Sequence, residues 1–231
     1  MPFFHVPAAT IGFAAALLLR SVPWEVPSSS NEQEQIFSQY SFKPLISSIF
    51  PPQSEASSCG YAVVAALSNL TRLAACMTML KTGSPSEEIS RAQFQNDKSV
   101  EAGYGKRPPI SFADMCTVLE NQGFELHSVR IDLSSISEVI AHSPLPPIIH
   151  LEDRWHHFIL AIDMAKENEE IALVFDPAQG TVLVNISEVV SRASGYCLIP
   201  SSFSLGLNAG EVADLKEGLE ALKRLMWIIA H

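Results

Sequence analysis

The sequence is short of basic residues, of paired cysteines and of long apolar runs. Lys and Arg number 15 against 25 Asp and Glu, a formal net charge of -10. A nucleic-acid binder draws much of its affinity from neutralising phosphates with Lys and Arg, so this balance argues against that class of partner. It argues equally against a polybasic protein of the membrane surface. The cysteines are four, Cys59, Cys76, Cys116 and Cys197, with no C-x-x-C pair among them. That pattern suits neither a structural zinc site nor a disulfide scaffold. With Cys59 kept as a free thiol, at most one bridge could join the others, and Cys76, Cys116 and Cys197 read as small buried hydrophobes. No internal repeat is visible.

What is present is a globular chain. Hydrophobic residues make up 47% and charged residues 17% of 231 positions, enough for one sizeable domain with terminal extensions. The longest apolar stretch, Val6 to Leu19, is followed by Arg20. It falls short of the roughly 20 residues a membrane span needs. It suits the apolar core of a secretory signal, although no Lys or Arg precedes it. The expectation is an exported or periplasmic protein carrying this segment as a signal or membrane tether. A buried helix in a cytoplasmic protein is the alternative. The Pro/Ser-rich stretch from Glu25 to Gln35 reads as a linker. The expected divisions are therefore residues 1–35, a folded domain over 36–203, and a C-terminal amphipathic helix over 204–231 that docks on its own domain.

Within the domain, apolar residues at Val63, Val64, Leu67, Leu70, Leu73 and Leu80 predict a helix from Ser58 to about Leu80. Ser57 or Ser58 can cap it. Gly83 is a stop signal, and "SPSEEISRAQF" opens another helix. Gln95 to Pro109 reads as loop. Ser111 to Gly123 reads as a helix with a Ser111…Asp114 cap and a terminal glycine. "FELHSVRI" reads as a strand and "LSSISEVIAH" as a short helix. Strands are then predicted at Ile148–Leu151, His157–Asp163, Ala172–Asp176 and Thr181–Asn185, the last three joined as an antiparallel meander. Helices first and strands afterwards imply an α+β domain.

The stretch "QSEASSCGYAVVAAL", Gln53 to Leu67, carries the candidate chemistry. A helix N-terminus favours an anion, so Cys59 sits where a thiolate is stabilised. Buried cysteine is the ordinary alternative. Gly60 would let a substrate backbone approach closely. A nucleophilic thiol needs a base, and His150, His156 and His157 gather in "HLEDRWHHFILAID". Adjacent strand residues face opposite ways, so His156 and His157 cannot both enter one site, and the residues alone leave the choice open. His127 and His142 read as surface or structurally satisfied. A metal site built from His150 and one of the pair lacks a carboxylate pattern to support it.

Asp176 ends an apolar strand before Pro-Ala-Gln-Gly. It can be an Asx-turn residue. It can equally orient a catalytic imidazole, because an antiparallel hairpin sets the start of the His157 strand beside the end of the Asp176 strand. Gln53 can supply an amide donor to a developing oxyanion, alongside the Cys59 backbone N–H.

"QSEASSCGYAVVAAL", "PPIIHLEDRWHHFILAI", "VFDPAQG" and "SGYCLIP" together resemble the bacteriocin-processing, double-glycine leader peptidases, which are papain-like cysteine peptidases. The resemblance covers roughly Leu45 to Pro200 and is to a standalone peptidase domain. It implies a papain-like α+β fold, a helical part followed by an antiparallel sheet. It also implies Cys59 as nucleophile, His157 as base because the family's histidine directly precedes the Phe, Asp176 as orienter and Gln53 at the oxyanion hole. Ser58 and Gly60 would contact substrate. The expected partner is a peptide or protein, cut after small residues such as Gly-Gly, and the chemistry calls for no cofactor. Lys81 to Pro109 matches poorly. The same site could pass the acyl group to an amine, and a non-catalytic peptide-binding module is the rival of another class.

Overall fold

The computed structural model describes residues 49–50, 52–53, 58–82, 109–152, 156–165, 170–203 and 209–230. The N-terminal apolar segment, the linker, the domain start near Ile36, Ser57, the helix opening at Ser84 and most of the loop before Pro109 lie outside these residues, as does the side chain of Cys76.

The long helix α1, Cys59–Thr82, starts on the cysteine itself. Ala62, Val63, Ala66, Leu67 and Leu70 are fully buried, so the alanines let neighbours approach closely around the helix. Its two buried hydroxyls are satisfied within the helix, Ser68 by Val64 O and Thr71 by Leu67 O.

Helix α2, Phe112–Asn121, begins with the expected capping box. The Asp114 N–H donates to Ser111 Oγ at 3.2 Å, and the Ser111 N–H to Asp114 Oδ2 at 3.1 Å. Gly123, at φ 92°, turns the chain out of the helix into β1, Phe124–Arg130. A short turn and helix α3, Ile136–His142, follow. The meander comes next: β2 (Ile148–Leu151), β3 (His157–Met164), β4 (Ile171–Asp176) and β5 (Gly180–Asn185). Helix α4, Ile186–Arg192, leads into β6, Ala193–Phe203, and α5 spans Ala209–Ala230.

The sheet is antiparallel throughout, in the order β1-β6-β2-β3-β4-β5. The predicted meander, β3 to β5, is therefore three neighbouring strands of six, with the predicted β2 beside it. The addition is β6, which returns across the sheet to lie between β1 and β2. Neither it nor α4 was expected from the sequence.

Strand β3 is buried on both faces, and its alternation sorts the core into two parts. Phe158, Leu160 and Ile162 pack with the α1 residues, while Ile159, Ala161 and Met164 pack with Ile136 and Ile140 of α3 and Val189 of α4. Helix α5 adds Leu215, Leu219, Leu222, Leu225 and Met226 to the α1 side. It docks on its own domain, as its amphipathic pattern suggests. Trp227 Nε1 donates to Asp163 Oδ2 of β3 at 2.8 Å, which fixes its position against the sheet. Among the described residues, no helix is long and apolar enough to cross a membrane.

Candidate active site

Cys59 occupies the first turn of α1, where unpaired backbone N–H groups and the helix dipole favour negative charge. It is buried, at 4% exposure. Burial pushes the Cys197 thiol up to about 11, and burial with the nearby Glu120 charge raises that of Cys116.

His157 opens β3 and Asp176 closes β4, so the antiparallel hairpin sets them side by side, as its predicted topology requires. His157 Nε2 meets Asp176 Oδ1 at 2.8 Å. With Nε2 engaged, Nδ1 is the ring nitrogen left for the thiol. Burial disfavours the charged imidazolium. Hydrogen bonds to Asp176 and Cys59, together with the negative charge each can carry, outweigh burial and raise His157 to about 9.

Asp176 makes both contacts that its sequence context allowed. Its Oδ1 also accepts the Ala178 N–H at 2.8 Å, the Asx-turn bond, and its Oδ2 accepts from Gln179 Nε2 at 3.0 Å. Burial pushes the carboxyl up, but the His157 bond, the Ala178 N–H, the imidazolium charge and the Gln179 amide hold it below the usual carboxylate range. Gln179 is a contributor that the sequence reading missed, although "PAQG" contained it.

Gln53 stands against the same turn, its N–H donating to the Pro177 carbonyl at 3.0 Å. Its Oε1 is buried without a hydrogen-bond partner among the described residues. The structure therefore brings Gln53, His157 and Asp176 to one place, with Cys59 close enough to His157 to favour its charged form.

A side chain at Gly60 would run into Ile110 Cγ2 and meet Met115 Cε at 2.5 Å. The space expected to admit a substrate backbone is filled by the protein's own core, so Gly60 serves the packing of α1 against α2. The His156 ring stacks on His150, with centroids 5.4 Å apart and planes 10° from parallel. The His156 backbone carbonyl lies 3.9 Å from Cys59 Sγ. Sequence carries no signal for a carbonyl's direction.

His150 is held by Ser194 Oγ at 2.8 Å from Nδ1 and by edge and tilted contacts with Phe112 and Phe158. Burial and the nearby His156 hold its imidazole below the usual histidine value, against the opposing charge of Glu152.

A family model described as the Peptidase C39 family matches residues 50–204. The chain belongs to that family. Peptidase C39 members are papain-like cysteine peptidases, and this chain is one; its helix-then-sheet α+β fold is the fold its sequence blocks implied. No curated protein matches it. Among solved structures it is similar to a double-glycine motif protease from an AMS/PCAT transporter in complex with a leader peptide. That match has 21% identity and a TM-score of 0.41, covering 65% of this chain and 89% of the other. It is similar to the peptidase domain of Streptococcus ComA, a bi-functional ABC transporter of a quorum-sensing pathway, at 16% identity and a TM-score of 0.41, covering 65% and 95%. It is also similar to the peptidase domain of Streptococcus mutans ComA in complex with a small-molecule inhibitor, at 15% identity and a TM-score of 0.42, covering 65% and 97%. The Peptidase C39 match ends before α5, so that helix lies beyond the matched residues.

Proposed function

We propose that this Peptidase C39 member cleaves a leader peptide after small residues such as Gly-Gly, using Cys59, His157, Asp176 and Gln53. His157 takes the Cys59 proton, and the thiolate attacks the scissile carbonyl carbon. The carbonyl electrons move to oxygen, where the Gln53 amide and the Cys59 N–H stabilise the oxyanion. The imidazolium gives its proton to the leaving amine as the C–N bond breaks. Water, deprotonated by His157, then hydrolyses the thioester. Asp176 holds the ring and stabilises its charge.

The observation that carries this reading is the 2.8 Å bond from His157 Nε2 to Asp176, which commits the other ring nitrogen to the thiol. The substrate class rests on the resemblance of the four sequence blocks to double-glycine leader peptidases.

The test is turnover of a peptide library bearing Gly-Gly and its single replacements, read by mass spectrometry. Cleavage after Gly-Gly, lost in Cys59→Ala, is the expected result. A Cys59→Ala protein that cuts as well as the wild type overturns the nucleophile. Cleavage indifferent to the small residues overturns the substrate class. Iodoacetamide labelling at mildly acidic pH should favour Cys59, and equal labelling of all four cysteines would sink the activated thiol.

A further inference from the structure

His156 is the one described residue other than glycine with positive φ, at +49°. The left-handed region is unfavourable for an ordinary L-residue, because Cβ crowds the following carbonyl oxygen. Here the conformation has a visible consequence: it accompanies the placement of the His156 carbonyl against Cys59 Sγ, 3.9 Å away. The side chain is anchored on the other side of the backbone turn by its stack on His150, which Ser194 holds in turn. The thiol therefore meets two polar groups from consecutive residues, the His156 carbonyl and the His157 ring.

The geometry points to His156 as a positioning residue for the nucleophile: its left-handed backbone turn aims the carbonyl that holds the Cys59 S–H in place. This rests on Cys59 being the nucleophile of the proposed reaction. A carbonyl can accept only from the neutral thiol and repels the thiolate, so it disfavours the charged form. It also fixes the direction of Sγ, which an attack trajectory needs. Loss of the turn should therefore have opposite effects on two measurements. Alkylation by a small reagent should speed up, and peptide cleavage should slow down. A merely structural loss would lower both. The other titratable groups around the thiol are His157, Asp176 behind it, and His150 with Glu152 beyond.

The experiment compares the full chain with His156→Val, His156→Ala, His156→Asn and His157→Ala. A β-branched residue strongly resists positive φ, alanine resists it less, and asparagine tolerates it. In His156→Val, alkylation of Cys59 by iodoacetamide at neutral pH should rise about threefold while kcat falls about tenfold with KM little changed. His156→Ala should shift both in the same directions by less, and it keeps the test alive if the valine variant does not fold. His156→Asn should stay within about twofold of wild type on both counts, although it lacks the stacked ring. Equal behaviour of the alanine and asparagine variants overturns the inference, as does alkylation that falls together with kcat. Failure of the underlying reading looks different: His157→Ala would then leave Cys59 alkylation unchanged.

Discussion

Gln53 and Pro177 are joined through their backbones, the Gln53 N–H donating to the Pro177 carbonyl at 3.0 Å. One residue before that carbonyl, Asp176 grips His157. Gln53 is thus tied by its backbone to the turn that carries Asp176.

Gln53→Ala leaves this backbone bond intact and removes only the amide. The expected result is a drop in kcat of about 10²–10³-fold with KM little changed, the pattern of a lost oxyanion donor. A loss smaller than about threefold would return Gln53 to a purely structural role.

Asp176→Asn keeps a side-chain oxygen that can accept from His157 and from Ala178, whereas Asp176→Ala keeps neither bond. The asparagine variant should retain most of the activity. The alanine variant should lose about 10²-fold or more in kcat and about 1–3 kcal/mol of stability, since His157, Ala178 and Gln179 all lose their acceptor. Urea melts and steady-state kinetics on both variants decide it. Equal rates for the two would show that the acceptor is not what matters.

The pH dependence follows from the same pair. His157 stands at about 9 in the folded chain against an ordinary 6.5. Its stabilising contribution, at most roughly 3 kcal/mol, is complete below pH 6.5 and fades as pH rises through 9. Asp176 lies below its ordinary 3.8, so its contribution is present above that value and lost on acidification. His157→Gln should therefore lower Tm more near pH 5.5 than near pH 9.5. Cleavage should also decline above about pH 9, where the imidazolium needed to protonate the amine is lost. A Tm difference that does not vary with pH would contradict the coupling.

Gly60→Ala places a methyl group into Ile110 Cγ2. Overpacking of this kind costs about 1–3 kcal/mol, or a fall in Tm of about 3–10 °C for a chain of this length. Thermal melts read it directly. An unchanged Tm with a raised KM would instead place substrate above this glycine.

Local signals in the sequence carried the elements that form locally. The Ser111…Asp114 cap, Gly123 and the His157–Asp176 hairpin all depend on neighbours close in the chain, and all were legible there. Strand β6 was not. It contains Gly195, Ser201, Ser202 and Pro200, residues that read as turn, and it becomes a strand only by pairing with β1 and β2 far away in sequence. Gly60 was misleading for a similar reason: the atoms that exclude a side chain there come from Ile110 and Met115, about fifty residues on. The choice of His157 over His156 came from the resemblance, because alternation along a strand says that two neighbours diverge but not which one faces the thiol. That His156 contributes its carbonyl is a matter of one backbone angle.

Helix α5 bears on how the protein can be handled. A fragment ended at residue 204, where the family match stops, would keep every candidate site residue yet strip five buried side chains from one flank of α1. Each is worth roughly 1.5–3 kcal/mol of burial. Such a truncated chain would expose a broad oily stripe and tend to precipitate. Expression designed around the matched boundaries alone would thus mistake an insoluble product for an inactive enzyme.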